Sequence, residues 1–191
     1  MGSGKIEYCM HKKSGFTIVE LMVAMAIIGL VAAFGIPRLL PPKPRQVREA
    51  FISQLNSLVG FAWQNAVTKS KVHKLEFDFD RKKVSIFQMG PTDKYGKATW
   101  EPIKRAYTAT VIRIPGQLEQ KNFYIEGEDK VAKLGILKNV WFAISDGGIS
   151  QEVVINFLDN KDKRDRRKRP VGLVLNPFSA QFEVYNELAK P

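Results

Sequence analysis

The spacing of apolar and polar residues divides the chain into distinct segments. Residues 16–36 are almost entirely apolar, and Glu20 is their one charged side chain. At about 1.5 Å per residue, a helix of that length spans about 30 Å, the thickness of a bilayer core. The run is long for a secretory signal peptide and is followed by Pro37 and Arg38 rather than by a small-residue cleavage site. The pattern therefore predicts a transmembrane helix over residues 16–36.

A cluster of prolines follows this run. Residues 37–45 contain Pro37, Pro41, Pro42 and Pro44. Proline cannot continue a helix without losing a hydrogen bond and clashing with the preceding turn. We therefore expect residues 37–45 to form a Pro-rich elbow, with a break or a stiff extended piece near residues 41–44.

The next segment, residues 46–70, predicts a second helix. Its apolar residues recur at steps of three and four, which is the period of one helix face. They are Val47, Phe51, Leu55, Leu58, Ala62 and Ala66. We expect this amphipathic helix to pack its apolar face on a sheet.

From residue 74 onward the period changes to two. Leu75, Phe77 and Phe79 alternate with acidic residues, and residues 80–83 read as the turn of a hairpin. Further strands are predicted at 108–114, 122–125, 140–144, 153–158, 171–175 and Gln181–Tyr185.

Residues 88–106 are rich in Gly, Pro, Lys and Asp, and this composition predicts a loop. One helix followed by roughly six or seven strands is typical of an α+β fold. We therefore expect residues 71–191 to form a β-rich head, with the amphipathic helix packed on an antiparallel sheet.

The carboxylate of Glu20 is out of place in an apolar run. An acid in hydrocarbon costs several kcal/mol unless it is neutralised or paired, so it marks a functional site by default. A cut between Gly15 and Phe16 would create an α-amino group on Phe16, with a reference pKa of about 8. Residues four apart share a helix face, so Glu20 would then pair with its own terminus or with that of a neighbour. The alternative is that Glu20 lies near the interface and reaches water.

Residues 12–37 resemble the type III signal of type IV prepilins and of type II secretion pseudopilins. The resemblance is carried by Lys12, Lys13 and the continuous motif Gly15-Phe16-Thr17-Ile18-Val19-Glu20-Leu21. It implies that a prepilin peptidase removes residues 1–15 by cutting between Gly15 and Phe16, and that Phe16 is then N-methylated. It also implies that Glu20 neutralises the terminus of an adjacent subunit during assembly and that Pro37 kinks the helix.

The same resemblance implies a location. The chain would be a single-pass protein of the bacterial inner membrane, with its C-terminal head in the periplasm and with other pseudopilins or pilins as partners at a hetero-oligomeric filament tip. Lys12 and Lys13 precede the run as the positive-inside tendency requires, but Arg38, Lys43 and Arg45 follow it. The orientation therefore rests on the resemblance. Whether Met1 or Met10 starts the chain stays open.

The order of elements over residues 46–185 resembles the H-type minor pseudopilin group (GspH/FimT type). The resemblance is carried by the helix, the hairpin that starts at Leu75, and the strand-then-turn stretch from Val140 to Ile149 with its Asp146-Gly147-Gly148 turn. It implies a minor pseudopilin of a type II secretion system, a subunit that assists the export of folded proteins.

Charge and cysteine content bear on the partners. The whole chain carries a formal net charge of +11, and Lys5, Lys12 and Lys13 against Glu7 place +2 of it in residues 1–15, which leaves +9 after processing. Such an excess attracts acidic surfaces, although it is also common on solvated exteriors. The one cysteine, Cys9, lies in the leader, so the processed chain has no disulfide even though the periplasm permits one.

Residues 161–169 form a basic tract between two predicted strands. Its cations are Lys161, Lys163, Arg164, Arg166, Arg167, Lys168 and Arg169. Phosphate contacts by such a tract would give salt-dependent, sequence-blind DNA binding, as in competence-pilus relatives of the H-type group. The alternative function is therefore a DNA-binding minor pilin of a type IV pilus or DNA-uptake system. Asp162 and Asp165 and the lack of an aromatic residue in the tract argue against DNA binding, and the alternatives are a solvated hairpin loop or contact with an acidic partner subunit or anionic lipid.

Nothing in the sequence predicts an enzyme. His73 stands alone at a helix–strand junction, and no nucleophile elbow or phosphate-binding glycine loop is present. The Asp146-Gly147-Gly148 turn has too few acidic ligands for calcium. We predict no catalytic, cofactor-binding or metal-binding residues.

Overall fold

The computed structural model describes residues 15–39, 41–103, 109–134, 139–164 and 167–191, and of residues 34–39, 133–134 and 163–164 it describes the backbone alone. The chain divides into two compact units, Met1–Pro42 and Lys43–Pro191. The second unit, called the head below, contains all of the sheet structure described here.

The first unit contains helix α1, Ile18–Leu39. Its large apolar side chains are exposed wherever they are described, with Phe16 at 81% and Met25 at 69% exposure. Across the described residues, no helix is both long enough and apolar enough to cross a membrane.

The head begins with helix α2, Pro44–Lys69. Pro44 occupies the first helical position, where a missing N–H is harmless. The backbone N–H of Lys43 donates to Oε1 of Gln46 over 3.0 Å. At the other end Ser70 adopts a left-handed conformation with φ of 48°, and the N–H of Lys71 donates to the carbonyl of Ala66. Such an αL residue commonly terminates a helix.

Ten strands and a short helix follow α2 in the described parts of the head, and they form two five-stranded antiparallel sheets. The first sheet has the order β3-β2-β1-β7 with β4 also on β2, and the second has the order β10-β9-β8-β5-β6. The strands are β1 His73–Asp78, β2 Lys83–Thr92, β3 Ala98–Pro102, β4 Val111–Arg113, β5 Leu118–Ile125, β6 Glu128–Asp129, β7 Asn139–Ile144, β8 Val153–Arg164, β9 Arg167–Asn176 and β10 Gln181–Tyr185, and helix α3 is Lys130–Leu134.

The core lies between α2 and both sheets. The helix contacts β1, β2, β4 and β7 of the first sheet and β8 and β10 of the second. The ring of Phe77 on β1 packs edge-on against Phe123 on β5, with centroids 5.2 Å apart. Phe51 on α2 packs in the same way against Phe157 on β8 at 6.2 Å. These ring contacts join the helix and the two sheets into a single hydrophobic core.

The C-terminal residues lie against the second sheet. The side-chain amide of buried Asn156 donates to the carbonyl of Ala189 and accepts its N–H, both over 2.9 Å. Gly172 leaves room for this segment, because a Cβ at that position would lie 2.6 Å from the carbonyl oxygen of Glu187.

The α+β class with antiparallel sheet structure is confirmed, but the prediction of a loop over residues 88–106 is wrong. Strand β2 extends to Thr92, and β3 pairs back onto it. The turn-forming composition marks only the short connection between β2 and β3. There Oδ1 of Asp93 accepts the N–H groups of Tyr95 and Lys97 over 2.8 Å each. Residues 104–108 lie outside the described part of the chain. The short elements β6 and α3 were not predicted.

We predict that Phe77→Ala destabilises the head by about 3–5 kcal/mol, because the ring is fully buried and its loss leaves a cavity between the sheets. The measurement is urea unfolding of the full chain in detergent, followed by tryptophan fluorescence. Tyr95→Ala, at a side chain that is 94% exposed, serves as the control and should unfold like the parent. Equal effects of the two changes would contradict a core role for Phe77.

Candidate functional site

The predicted cleavage site lies in an exposed, non-helical segment. Residues 15–17 precede α1, Gly15 has no neighbouring atom within 4 Å of the position where a Cβ would stand, and Phe16 is 81% exposed. The peptide bond between Gly15 and Phe16 is therefore accessible in the uncleaved chain. Gly15 and Phe16 stay predictions as the cleavage and methylation positions.

The start of α1 is set by Thr17, a residue whose role we did not predict. Oγ1 of Thr17 accepts the N–H of Glu20 over 3.2 Å, and its carbonyl accepts the N–H of Leu21 over 3.1 Å. Thr17 and Glu20 occupy the first and last positions of the Ser/Thr-x-x-Glu signature of a capping box. The signal was present in the sequence and would have placed the helix start at Ile18.

Glu20 lies in the first turn of α1, where the helix dipole favours a negative charge. Phe16 lies outside the helix in this uncleaved chain, so the shared-face argument for pairing residues 16 and 20 does not apply to it. Glu20 forms no ion pair with any described residue. Its role in assembly stays a prediction.

Pro37 lies inside α1, whose helical backbone extends to Leu39. The helix therefore does not end at this proline, because its missing N–H removes one hydrogen bond without preventing the turns that follow. The side chains of residues 34–39 are outside the described part of the chain. The kink at Pro37 stays a prediction.

The described residues of the basic tract are strand rather than loop, so the alternative of a solvated hairpin loop is wrong for them. Lys161, Lys163 and Arg164 belong to the end of β8, and Arg167, Lys168 and Arg169 begin β9. Residues 165–166, and with them Arg166, lie outside the described residues. The backbone register pairs Lys163 with Lys168 and Arg164 with Arg167.

Acidic neighbours pair with two cations of the basic tract, Lys168 and Arg169. Lys168 on β9 forms an ion pair with Glu119 on β5, across the intervening strand β8. Arg169 donates to Asp162 over 3.4 Å and to Oδ1 of Asn186 over 2.8 Å. Lys161 and Arg167, in contrast, are exposed and pair with no carboxylate among the described residues.

A buried ion pair lies at the base of this hairpin. Arg48 on α2 donates through Nη1 to Asp159 over 2.9 Å and to Asp162 over 2.6 Å. The Asp159 side chain is fully buried, and that of Arg48 is 6% exposed. Hydrogen bonding to Arg48 holds the pKa of Asp162 below its ordinary value.

Both oxygens of Asp159 are fully used. Oδ2 also accepts from Nε2 of Gln117 over 3.1 Å, and the same nitrogen donates to the carbonyl of Pro44 over 2.7 Å. Oδ1 accepts the backbone N–H groups of Lys161 and Asp162, each over 3.0 Å. The last two bonds coincide with the register shift between Asp159 and Lys163, so the carboxylate shapes the bulge in β8.

The sequence analysis did not identify Arg48 or Gln117 as part of a site. A signal for Arg48 was available, because it lies three and four residues before Phe51 and Ile52, on the buried face of α2. A cation on an apolar face requires a buried partner. Gln117 carries no comparable signal.

His73, which stands alone in the sequence, is also buried. Its Nδ1 lies 2.8 Å from the carbonyl of Lys71, and Nε2 has no hydrogen-bond partner in the described structure. Burial lowers its pKa. Among the described residues, no three His, Cys, Asp or Glu side chains come together in a group that could hold a metal ion. The prediction that the protein is not an enzyme stays a prediction.

Comparisons with known proteins match one family model and two solved structures. Residues 10–36 match the family model described as the prokaryotic N-terminal methylation motif, which confirms the motif identified in the sequence. No curated protein matches the chain at a significant level.

Two solved structures of the minor pseudopilin EpsH from the type II secretion system of Vibrio cholerae are similar to the chain. One has a TM-score of 0.48 and 9% identity, and covers 76% of this chain and 98% of its own. The other has a TM-score of 0.49 and 9% identity, and covers 74% and 94%.

We predict that Arg48→Met lowers the free energy of unfolding by about 3–5 kcal/mol, because it leaves the Asp159 carboxylate buried without its cation. Urea unfolding of the full chain measures the loss. Arg45→Met is the matched control one turn away, since Arg45 pairs with Glu49 on the exposed side of α2, where water screens the interaction. A loss at Arg45 as large as that at Arg48 would contradict the assigned role.

We predict that His73 makes the head less stable as the pH falls below about 6.5, the ordinary pKa of histidine. Because the folded-state pKa is lowered, the unfolded chain takes up the proton first, and stability that is present above this pH is lost below it. The expected slope is up to about 1.4 kcal/mol per pH unit.

Unfolding measured between about pH 7 and 5 tests this prediction, and His73→Asn should flatten the slope. Asp162, whose pKa is also lowered, loses its contribution only as the pH falls through and below about 4, so the two windows are separate. An unchanged slope in the variant would contradict the prediction.

Proposed function

We propose that this protein is a minor pseudopilin of a type II secretion system, anchored in the bacterial inner membrane with its head in the periplasm. The observation that carries the proposal is the methylation motif at residues 10–36. The order of one helix followed by antiparallel strands in the head, on which the resemblance to the H-type group rests, supports the choice of a minor pseudopilin.

Processing would begin at the bond between Gly15 and Phe16. The bond is exposed and lies in non-helical backbone immediately before the Thr17 cap, so a prepilin peptidase can reach it without unwinding α1. Cleavage releases an α-amino group on Phe16 close to the first turn of the helix. Methylation of that amine would complete the processed subunit.

Glu20 would then supply the counter-charge for assembly. Its carboxylate lies in the first turn of α1 without a partner among the described residues. In the low dielectric of a membrane an unpaired carboxylate and an unpaired amine are both costly, so bringing them together favours the packing of one subunit against the next. The pair would thereby set the axial register between neighbouring helices.

The apolar side chains of α1 would provide the lateral contacts. They are exposed along the described part of the helix, and a stripe of this size in water is unfavourable. Lipid would cover them before assembly, and the helices of other pseudopilins would cover them in the filament. The head would contact partner heads at the filament tip.

Nothing in the described structure favours the DNA-uptake alternative. Two of the cations on which that function would depend, Lys168 and Arg169, are engaged by Glu119, Asp162 and Asn186. A secretion function does not require free cations in the basic tract, whereas DNA binding does.

We predict that co-expression with a prepilin peptidase removes residues 1–15 from the full chain and adds a methyl group to Phe16. Intact-mass spectrometry and N-terminal sequencing would detect both changes. Gly15→Leu should block cleavage, because it places a bulky side chain at the cut, where the parent has open space. Gly29→Ala, inside α1 with no atom within 4 Å of the added Cβ, is the control and should be cleaved like the parent.

Glu20→Gln separates processing from assembly. It leaves the cut site intact, so the variant should be cleaved normally, yet its recovery in cross-linked pseudopili should fall at least about tenfold because the amine of the neighbour loses its counter-charge. A parent chain that the peptidase leaves intact would overturn the proposed function. Normal assembly of Glu20→Gln would overturn the role of this carboxylate.

A further inference from the structure

Several elements of the head bring their cations to one end, which we call the basic end. It consists of the start of α2, the turn between β1 and β2, the end of β4, and the described part of the β8–β9 hairpin. The strand directions require this convergence: β1 returns along α2 towards its start, and the ends of β4 and β8 lie beside the same turn and the same helix terminus.

Specific contacts tie these elements together. Lys83 on β2 pairs with Arg113 on β4, and the N–H of Ile114 donates to the carbonyl of Lys82 over 2.8 Å. Gln117 then bridges Pro44 at the start of α2 and Asp159 on β8, which also binds Arg48. The basic end is thus one continuous surface built from residues far apart in sequence.

This surface has more cations than nearby carboxylates pair with. The carboxylates of Glu49, Asp78 and Glu119 already face Arg45, Arg81 and Lys168, respectively. Five exposed cations make no ion pair within the described structure: Lys43, Lys82, Arg113, Lys161 and Arg167. Asp80 in the β1–β2 turn is also exposed and makes no ion pair within the described structure, so the unpaired cations exceed the unpaired acid and the net charge of this surface is positive.

The opposite end has a different character. The turn between β2 and β3 lies a full strand length from Lys83, about 30 Å at 3.3 Å per residue. Exposed lysines there, such as Lys94 and Lys97, alternate with acids that include Asp93 and Glu101, and Asp146 lies near the end of α2 on the same side. The head is thus electrically polarised along α2.

The chain enters the head at the basic end. Residue 43 follows the apolar run of residues 16–36 within a few positions, and the seven residues between Ile36 and Pro44 span at most about 29 Å even when fully extended. If that run is a membrane anchor, as the proposed function holds, the basic end begins within this reach of the bilayer.

We propose that the basic end binds the anionic headgroups of phospholipids and holds the head at the membrane surface before assembly. The inference rests on the proposed function, because it requires a bilayer next to residue 43. Charge complementarity to phosphate favours the contact, and cations near an anionic leaflet attract it over roughly a Debye length, about 8–10 Å. Because these cations come from four separate elements, they match a surface of many headgroups better than they match a single compact ligand.

The test uses the full chain inserted into vesicles of phosphatidylcholine, alone or mixed equally with phosphatidylglycerol. Cys9→Ser removes the native thiol, and Asp80→Cys places a fluorophore in the exposed β1–β2 turn of the basic end. Spin-labelled lipid quenches the fluorophore when it approaches the surface. We expect quenching at least about threefold stronger with phosphatidylglycerol, and a decline as salt is added. A fluorophore at Tyr95→Cys, at the opposite end, should show neither effect.

A matched pair of charge variants makes the test specific. The basic-end variant combines Lys82→Gln, Arg113→Gln, Lys161→Gln and Arg167→Gln, and should lose the added quenching. The control variant combines Lys69→Gln, Lys71→Gln, Lys94→Gln and Lys97→Gln at the opposite end, with the same loss of charge, and should keep it. Circular dichroism checks that both variants fold like the parent.

The outcomes separate this inference from the function on which it rests. A chain that fails to insert into either vesicle would overturn membrane anchoring and the proposed function with it. A chain that inserts but shows quenching independent of phosphatidylglycerol, or retained in the basic-end variant, overturns the inference alone. Duplex DNA that binds the inserted chain, while phosphatidylglycerol has no effect, would overturn it in favour of a nucleic-acid partner.

Discussion

The buried guanidinium of Arg48 is the constraint on which one end of the head depends. A cation at this depth is tolerated because Asp159 and Asp162 accept its hydrogen bonds, and a buried charge without such partners would be strongly unfavourable. Asp159 in turn shapes the bulge of β8 and, through Gln117, contacts the first residue of α2. The helix start, the approach to β5 and the base of the β8–β9 hairpin are therefore positioned together. Because the helix start is fixed there, the apolar face of α2 that begins at Phe51 packs against both sheets.

The same network links the stability of the head to its surface charge. The carboxylates that pair with Arg48 and Lys168 are not available to the remaining cations. The surface around this buried network is therefore positive. In the first unit fewer polar groups are involved, and they lie close together at the start of α1. Thr17 caps α1, and Glu20 occupies the first turn, where the helix dipole favours a negative charge.

Sequence periodicity predicted the helix and strands that pack one face against the core. Helix α2 was expected over residues 46–70 and runs Pro44–Lys69, because a face that packs on two sheets must repeat at three and four residues. The alternation in β1 was equally visible, since one of its faces lies on the core. Strand β3 escaped prediction because its pairing with β2, rather than its composition, makes it a strand. Helix α3 has too few residues to display a period.

The sequence by itself determined what depends on neighbouring residues: the methylation motif, the apolar run with its single acid, the proline cluster and the amphipathic helix. Each is a short-range pattern whose chemistry is complete within a few turns of chain. Tertiary structure alone decided the partner of Arg48, which lies 111 residues away, and which cations of the basic tract are neutralised. It also decided that cations from four elements meet at one end. The reason is physical: ion pairing and burial depend on distance in space, and the register of antiparallel strands brings together residues that no local pattern connects.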